Sequence, residues 1–115
     1  MEIIQINQPN FVVIVPKGEV DANSSIHLDD KIGELIAANS VKILLDCSEM
    51  TYISSAGLGV FVSYLEELEE KKGKLIFSNM RANIFDVFEL LGLDQLLTIV
   101  SDNLEAEKIL TETEK

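Results

Sequence analysis

Few residues in this chain could carry out covalent chemistry. Its 115 residues hold one histidine, His27, and one cysteine, Cys47. A serine hydrolase needs a histidine held between a serine and an acid. Nothing in the pattern puts His27 there; it falls early in an expected helix, half-exposed near the N-terminus. Cys47 follows Leu44 and Leu45 and reads as a buried thiol at a strand end. A single cysteine excludes an internal disulfide and any multi-cysteine metal site. The carboxylates show no calcium-loop spacing, and there is no G-x-x-x-x-G-K-[ST] phosphate loop. Gly57-Leu58-Gly59 opens a G-x-G-x-x-G pattern that fails at Val62. The expectation is no catalytic residue, no metal site and no cofactor.

The segment Asp46-Cys47-Ser48-Glu49-Met50-Thr51-Tyr52-Ile53-Ser54-Ser55-Ala56-Gly57-Leu58-Gly59 remains. It reads as a strand end, a polar connection over 47–55, and two serines at a helix start. The first N–H groups of a helix have no intrahelical partner, and the dipole adds about half a positive charge there. A serine at that point can simply cap the helix. A phosphate on it would meet the same donors. Small Ala56, Gly57 and Gly59 leave the hydroxyl open to another protein. With a helix beginning near Ala56, Ser55 is the expected N-cap. Residue types alone favour capping.

The elements that must position these serines follow from periodicity. Residues 3–7 and Phe11–Val15 flank the turn Asn7-Gln8-Pro9-Asn10 and predict a β-hairpin, ended by Pro16-Lys17-Gly18. Leu28, Ile32, Leu35 and Ile36 form one helical stripe after cap candidates Asn23, Ser24 and Ser25, and Asn39-Ser40 closes it. Val41–Asp46 is a short buried strand. Leu58, Phe61, Val62, Leu65 and Leu68 predict one long helix ending at Gly73, with Glu66–Glu70 a solvated face and Glu67–Lys71 an i, i+4 pair. Lys74–Ser78 is a strand; Ile84, Val87, Phe88 and Leu91 form a helix stopped by Gly92. A last strand spans Leu96–Val100, and Asp102 with Glu105 makes a capping box for a final helix near 103–112.

The expected fold is α/β: a mixed sheet of about five strands with four helices, in the order ββαβαβαβα. The helices begin near residues 24, 56, 81 and 103, with Leu44, Leu58, Val62, Leu65, Ile76, Val87 and Phe88 buried. One domain covers 1–112, and 113–115 is a frayed tail. Lys and Arg total 9 against 20 Asp and Glu, a net charge of −11. Such an excess repels phosphate backbones and anionic membranes, which disfavours nucleic acid as a partner and favours a protein with a basic face. The start lacks a basic segment followed by a long apolar one, and no apolar run reaches the ~20 residues of a membrane span. A cytoplasmic location is expected.

The stretch from Asp46 to Phe61 resembles the central signature of STAS domains, the bacterial anti-sigma factor antagonists. Gly18-Glu19-Val20-Asp21 is similar to that family's G-E-L-D, and Leu75-Ile76-Phe77 and Val87-Phe88-Glu89-Leu90-Leu91-Gly92-Leu93 match its later strand and helix end. The resemblance implies a regulator that works by partner switching. The unmodified form would bind an anti-sigma factor that is also a serine kinase, phosphorylation would release it, and a metal-dependent phosphatase would reverse the modification. The family's phosphorylated serine lies two residues before the first glycine of G-L-G, which is Ser55; Ser54, in place of the family's acidic residue, is the second choice. Ala56 replaces its Ser or Thr. The implied partner surface comprises Asp21, Asn23, Ser24, Ser54, Ser55, Ala56, Gly57, Leu58 and Gly59. Two other roles exist for such domains: a non-cycling subunit of a transporter or signalling assembly, and a small-ligand or nucleotide binder.

Overall fold

The chain opens with the expected hairpin, β1 (Glu2–Asn7) against β2 (Val12–Val20), antiparallel with Asn7 opposite Val12. The structure is a computed structural model, which describes residues 1–112; the tail expected at 113–115 lies outside the described residues. Next come α1 (Ser24–Ala37), β3 (Lys42–Asp46), β4 (Met50–Ile53), α2 (Ser55–Ser63), α3 (Leu65–Glu70) and β5 (Lys74–Ser78). The chain continues with α4 (Ala82–Leu90), a 3₁₀ turn (Leu93–Gln95), β6 (Thr98–Ile99) and α5 (Asn103–Thr111). The sheet has six strands in the order β1-β2-β3-β5-β6, and β4 pairs with the end of β2. Apart from β1 all pairings are parallel.

Alternation along the strands separates two cores. Ile14, Ile43, Leu45, Leu75 and Phe77 face the side covered by α1, α2, α3 and α4. Val13, Val15, Leu44 and Ile76 face the other side, where α5 alone supplies Ala106 and Leu110. Phe77 stands edge-on between Phe61 (centroids 4.9 Å apart) and Phe88 (5.7 Å).

The structure corrects the sequence reading in four places. First, the 47–55 connection contains a strand, β4, which raises the count from five to six. Secondly, β2 does not stop at Pro16 but runs on to Val20, with Gly18 at φ 88° and a register shift between Gly18 and Glu19. A left-handed glycine at a bulge bends the strand without ending it. Thirdly, the single helix expected over 56–72 breaks at Tyr64 into α2 and α3. The break resets the angular phase, so Leu58, Phe61 and Leu68 are buried, Leu65 is half-buried and Val62 is 38% exposed. Val87 is likewise half-buried, on the flank of α4. Fourthly, the last strand is two residues long rather than Leu96–Val100.

Several ends match their signals. Asn39 and Gly92 take left-handed φ of 63° and 72° where helices stop. After α3 the left-handed residue is Lys72 (φ 58°), and Gly73 is required for another reason: a Cβ there would sit 2.4 Å from the Val41 carbonyl oxygen. Lys71 pairs with Glu67 at 3.4 Å. Asp102 Oδ1 accepts from Glu105 N–H at 2.9 Å, and Glu105 Oε2 accepts from Ser101 N–H at 3.4 Å.

Candidate functional site

Parallel strands followed by helices put the N-termini of α1, α2, α4 and α5 at one edge of the sheet, beyond the carboxyl ends of the strands. There Val20 of β2 pairs with Ile53 of β4, and Ser54 N–H donates to the Val20 carbonyl at 2.9 Å. Asp21 and Ser54 therefore leave the sheet as neighbours, and the 21–24 turn lies beside the start of α2.

The Asp21 turn caps α1. Although Asn23 precedes the helix, its side chain makes no capping bond. Instead Asp21 Oδ1 accepts from the N–H groups of Asn23 (3.0 Å) and Ser24 (2.8 Å), and from Ser24 Oγ (3.1 Å). The single Ser24 hydroxyl proton is shared between Asp21 Oδ1 and the Glu19 carbonyl, which lies nearer at 2.7 Å. The backbone hydrogen bond from Ser24, with its hydroxyl, holds the Asp21 carboxyl below its ordinary range. Ser24 is thus tied inward and Asn23 is exposed.

At α2 the expected N-cap moves by one residue. Ser54 is the cap: its Oγ accepts from Gly57 N–H at 3.3 Å, and its carbonyl accepts from Leu58 N–H at 3.0 Å. Ser55 is the first helical residue, and it is exposed, as are Ala56 and Gly59. The helix supplies no internal acceptor for the N–H groups of Ser55 and Ala56. Ser54 is half-buried and its hydroxyl is engaged, whereas Ser55 faces solvent.

Gly57 and Leu58, both on the implied partner surface, are buried and face inward. A Cβ on Gly57 would meet Val20 Cγ1 at 2.7 Å and Ile53 Cγ1 at 3.0 Å; on Gly59 it would meet nothing within 4 Å. Val20 is fully buried and β-branched, so it cannot turn aside. Gly57→Ala is therefore expected to cost about 1–3 kcal/mol. Gly59→Ala should gain up to ~1 kcal/mol of helix propensity. Thermal unfolding of the two variants checks this: Tm should move in opposite directions, and a shift of the same sign in both would contradict the packing.

Beneath the β3–β4 loop lies a polar cluster that sequence reasoning missed. Asp46, 9% exposed at the end of β3, accepts from Ser48 N–H (3.0 Å), Asn79 Nδ2 (3.2 Å) and Asn103 Nδ2 (3.1 Å). Ser78 Oγ donates to Asn103 Oδ1, which also accepts from Asn79 Nδ2 at 3.1 Å. Burial alone would raise the Asp46 pKa, but the hydrogen bonds from Ser48, Asn103 and Asn79 outweigh it and hold the carboxyl low. Arg81, the chain's one arginine, donates Nε and Nη2 to the Ser48 carbonyl at 3.3 and 3.1 Å. The signal available in the sequence was an Asp ending one strand and a Ser-Asn pair ending another.

Cys47 is fully buried, and burial together with the Asp46 charge pushes its pKa far up, so its thiol is inert at neutral pH. His27 is exposed on α1. Among the described residues no three His, Cys, Asp or Glu side chains converge as a metal site, and no helix is long and apolar enough to cross a membrane.

The arrangement is that of a small α/β domain with an exposed serine at a helix N-terminus beside the Asp21 turn. The chain belongs to the STAS domain family, whose pattern matches residues 3–106. It is 26% identical over 104 residues to the anti-sigma-B factor antagonist of Listeria monocytogenes, covering 90% of each chain. Its fold is that of an anti-sigma factor antagonist from Mycobacterium paratuberculosis (TM-score 0.87, 20% identity, 96% of this chain and 94% of that one). It is also similar to the Bacillus antagonist SpoIIAA at 21% identity. For the unphosphorylated form of SpoIIAA the TM-score is 0.75, covering 97% of this chain and 100% of that one. For the phosphorylated form it is 0.72, covering 94% and 99%.

Proposed function

We propose that this chain is an anti-sigma factor antagonist. Unmodified, it binds an anti-sigma factor with serine kinase activity; phosphorylation of Ser55 releases it, and a metal-dependent phosphatase restores it. It acts as a substrate and binding module in the cytoplasm, not as an enzyme, and uses no cofactor. The observation that carries this reading is the division of labour between the two serines. Ser54 is spent on capping α2, while Ser55 stands exposed one residue inside the same helix. A phosphate on Ser55 would be held by helix N–H groups without any change of fold. The contact surface is Asp21, Asn23, Ser54, Ser55, Ala56 and Gly59, flanked by exposed Ile26 and Tyr52. Gly57, Leu58 and Ser24 shape that surface from within.

The test is phosphosite mapping after incubation with the anti-sigma factor kinase of the same cell and ATP. Ser54→Ala should remain a substrate and Ser55→Ala should take up no phosphate. Modification of Ser54 in Ser55→Ala at the wild-type rate would shift the site by one residue.

A further inference from the structure

The surface around Ser55 offers little that could hold a partner. Asn23, Ser55, Ala56 and Gly59 are exposed but small or polar. Asp21 and Ser54 are half-buried, with their side chains engaged in capping α1 and α2. Desolvating such groups yields little affinity. Over residues 19–26 and 51–59 the exposed large apolar side chains are two, Ile26 (60% exposed) and Tyr52 (48%).

Their places in the fold bracket the serine. Ile26 shares a stripe of α1 with Asp29 and Gly33, spaced i, i+3 and i+7. That stripe faces α2: the Tyr64 hydroxyl, just past the end of α2, donates to Asp29 and lies 3.1 Å from where a Cβ on Gly33 would be. Ile26 is about one turn nearer the start of α1, and α1 and α2 both start at the edge that carries Ser55. It therefore stands beside the first turns of α2. Tyr52 is on the other side. Its neighbour Ile53 packs into the core beneath α1 and α2, so alternation points Tyr52 from the opposite face of β4, next to Glu19 of β2. It precedes Ser55 by three residues, a reach of at most about 11 Å. Exposed apolar residues are ordinary one at a time. A pair on either side of Ser55, where nothing else has apolar bulk, is where the affinity of a complex has to come from.

We propose that Ile26 and Tyr52 are the apolar anchors of the anti-sigma factor interface, taken by the partner into two recesses that flank its seat for Ser55. The inference rests on the proposed function and divides that surface into two roles. The anchors supply the affinity, and the serine decides whether the two surfaces can close. Small Ala56 and open Gly59 let the partner approach closely between the anchors.

The experiment compares Ile26→Ser, Tyr52→Thr and Tyr52→Phe with the wild type, using the purified anti-sigma factor kinase of the same cell. Calorimetry without ATP reads affinity, and initial rates with ATP read Ser55 phosphorylation. Leu90→Ser, at a position 85% exposed at the far end of α4, is the control. Ile26→Ser and Tyr52→Thr should each weaken binding by about tenfold or more, with Tm unchanged. Each should raise KM by a similar factor at unchanged kcat, the mark of lost docking rather than lost chemistry. Tyr52→Phe, which keeps the ring, and Leu90→Ser should match the wild type. Wild-type affinity and KM in Ile26→Ser and Tyr52→Thr, an equal loss in Leu90→Ser, or a fall in kcat at unchanged KM would each overturn the anchors while leaving Ser55 as the modified residue. A wild-type chain that neither binds the kinase nor takes up phosphate would overturn the proposed function and the anchors with it.

Discussion

Ser55→Glu should weaken binding to the anti-sigma factor by roughly tenfold to a hundredfold, and phosphorylation of Ser55 should weaken it further. Ser55→Ala should bind as tightly as the wild type and resist release by ATP. A phosphate adds about −1.5 to −2 charge, and one carboxylate only partly reproduces it. Burying such a charge unpaired in an interface costs several kcal/mol, and each ~1.4 kcal/mol is tenfold in affinity. The free chain pays no comparable penalty, because the start of α2 offers N–H donors and the residue is exposed. Titration calorimetry with the purified anti-sigma factor measures the difference; equal affinity for wild type and Ser55→Glu would remove Ser55 from the interface.

Asp46→Ala should destabilise the fold by about 2–4 kcal/mol. It would strip the acceptor from Ser48 N–H and from the Asn79 and Asn103 amides, and each buried donor left alone costs about 1–3 kcal/mol before relaxation. The carboxylate also predicts a pH dependence. Its folded pKa is lowered from an ordinary value of 3.8. The charged form therefore stabilises the fold fully above the unfolded pKa, and that contribution is lost as pH falls through the folded pKa. Asp21 is shifted in the same direction. In urea unfolding, the stability gap between wild type and Asp46→Asn should be widest at neutral pH and narrow below about pH 4. A gap that stays constant across that range would mean the charge contributes nothing.

Much of the scaffold was legible in the sequence because its signals were redundant. The α1 stripe Leu28, Ile32, Leu35 and Ile36, the stops at Asn39 and Gly92, and the Asp102 cap each combine a period with a terminal residue. The parts that were not legible lacked that redundancy. In β4 the buried residues are Met50 and Ile53, the two ends of a four-residue strand, so no alternation exists to read. The extension of β2 hides behind Pro16 and Gly18, which normally end strands. The break at Tyr64 is invisible because Leu58, Phe61, Leu65 and Leu68 also fit an unbroken helix. The serine pair was found, but which serine caps depended on a boundary shift of one residue. The Asp46 cluster joins residues from three distant segments, and polar residues at the ends of β3 and β5 do not by themselves show that they meet.

The course of β2 has a consequence for how the molecule opens. Its first half holds β1 and β3, and its last residues hold β4. Val20 closes the strand against Ile53, Ser54 and the space a Gly57 side chain would fill. The serine-bearing turn is therefore hydrogen-bonded to the same strand that carries β1 and β3. Amide protons at Ser54 and Leu58 should exchange with solvent almost as slowly as those of β3, through whole-molecule openings rather than local fraying. The switch residue would then be a mark on a rigid surface, read by what can fit against it.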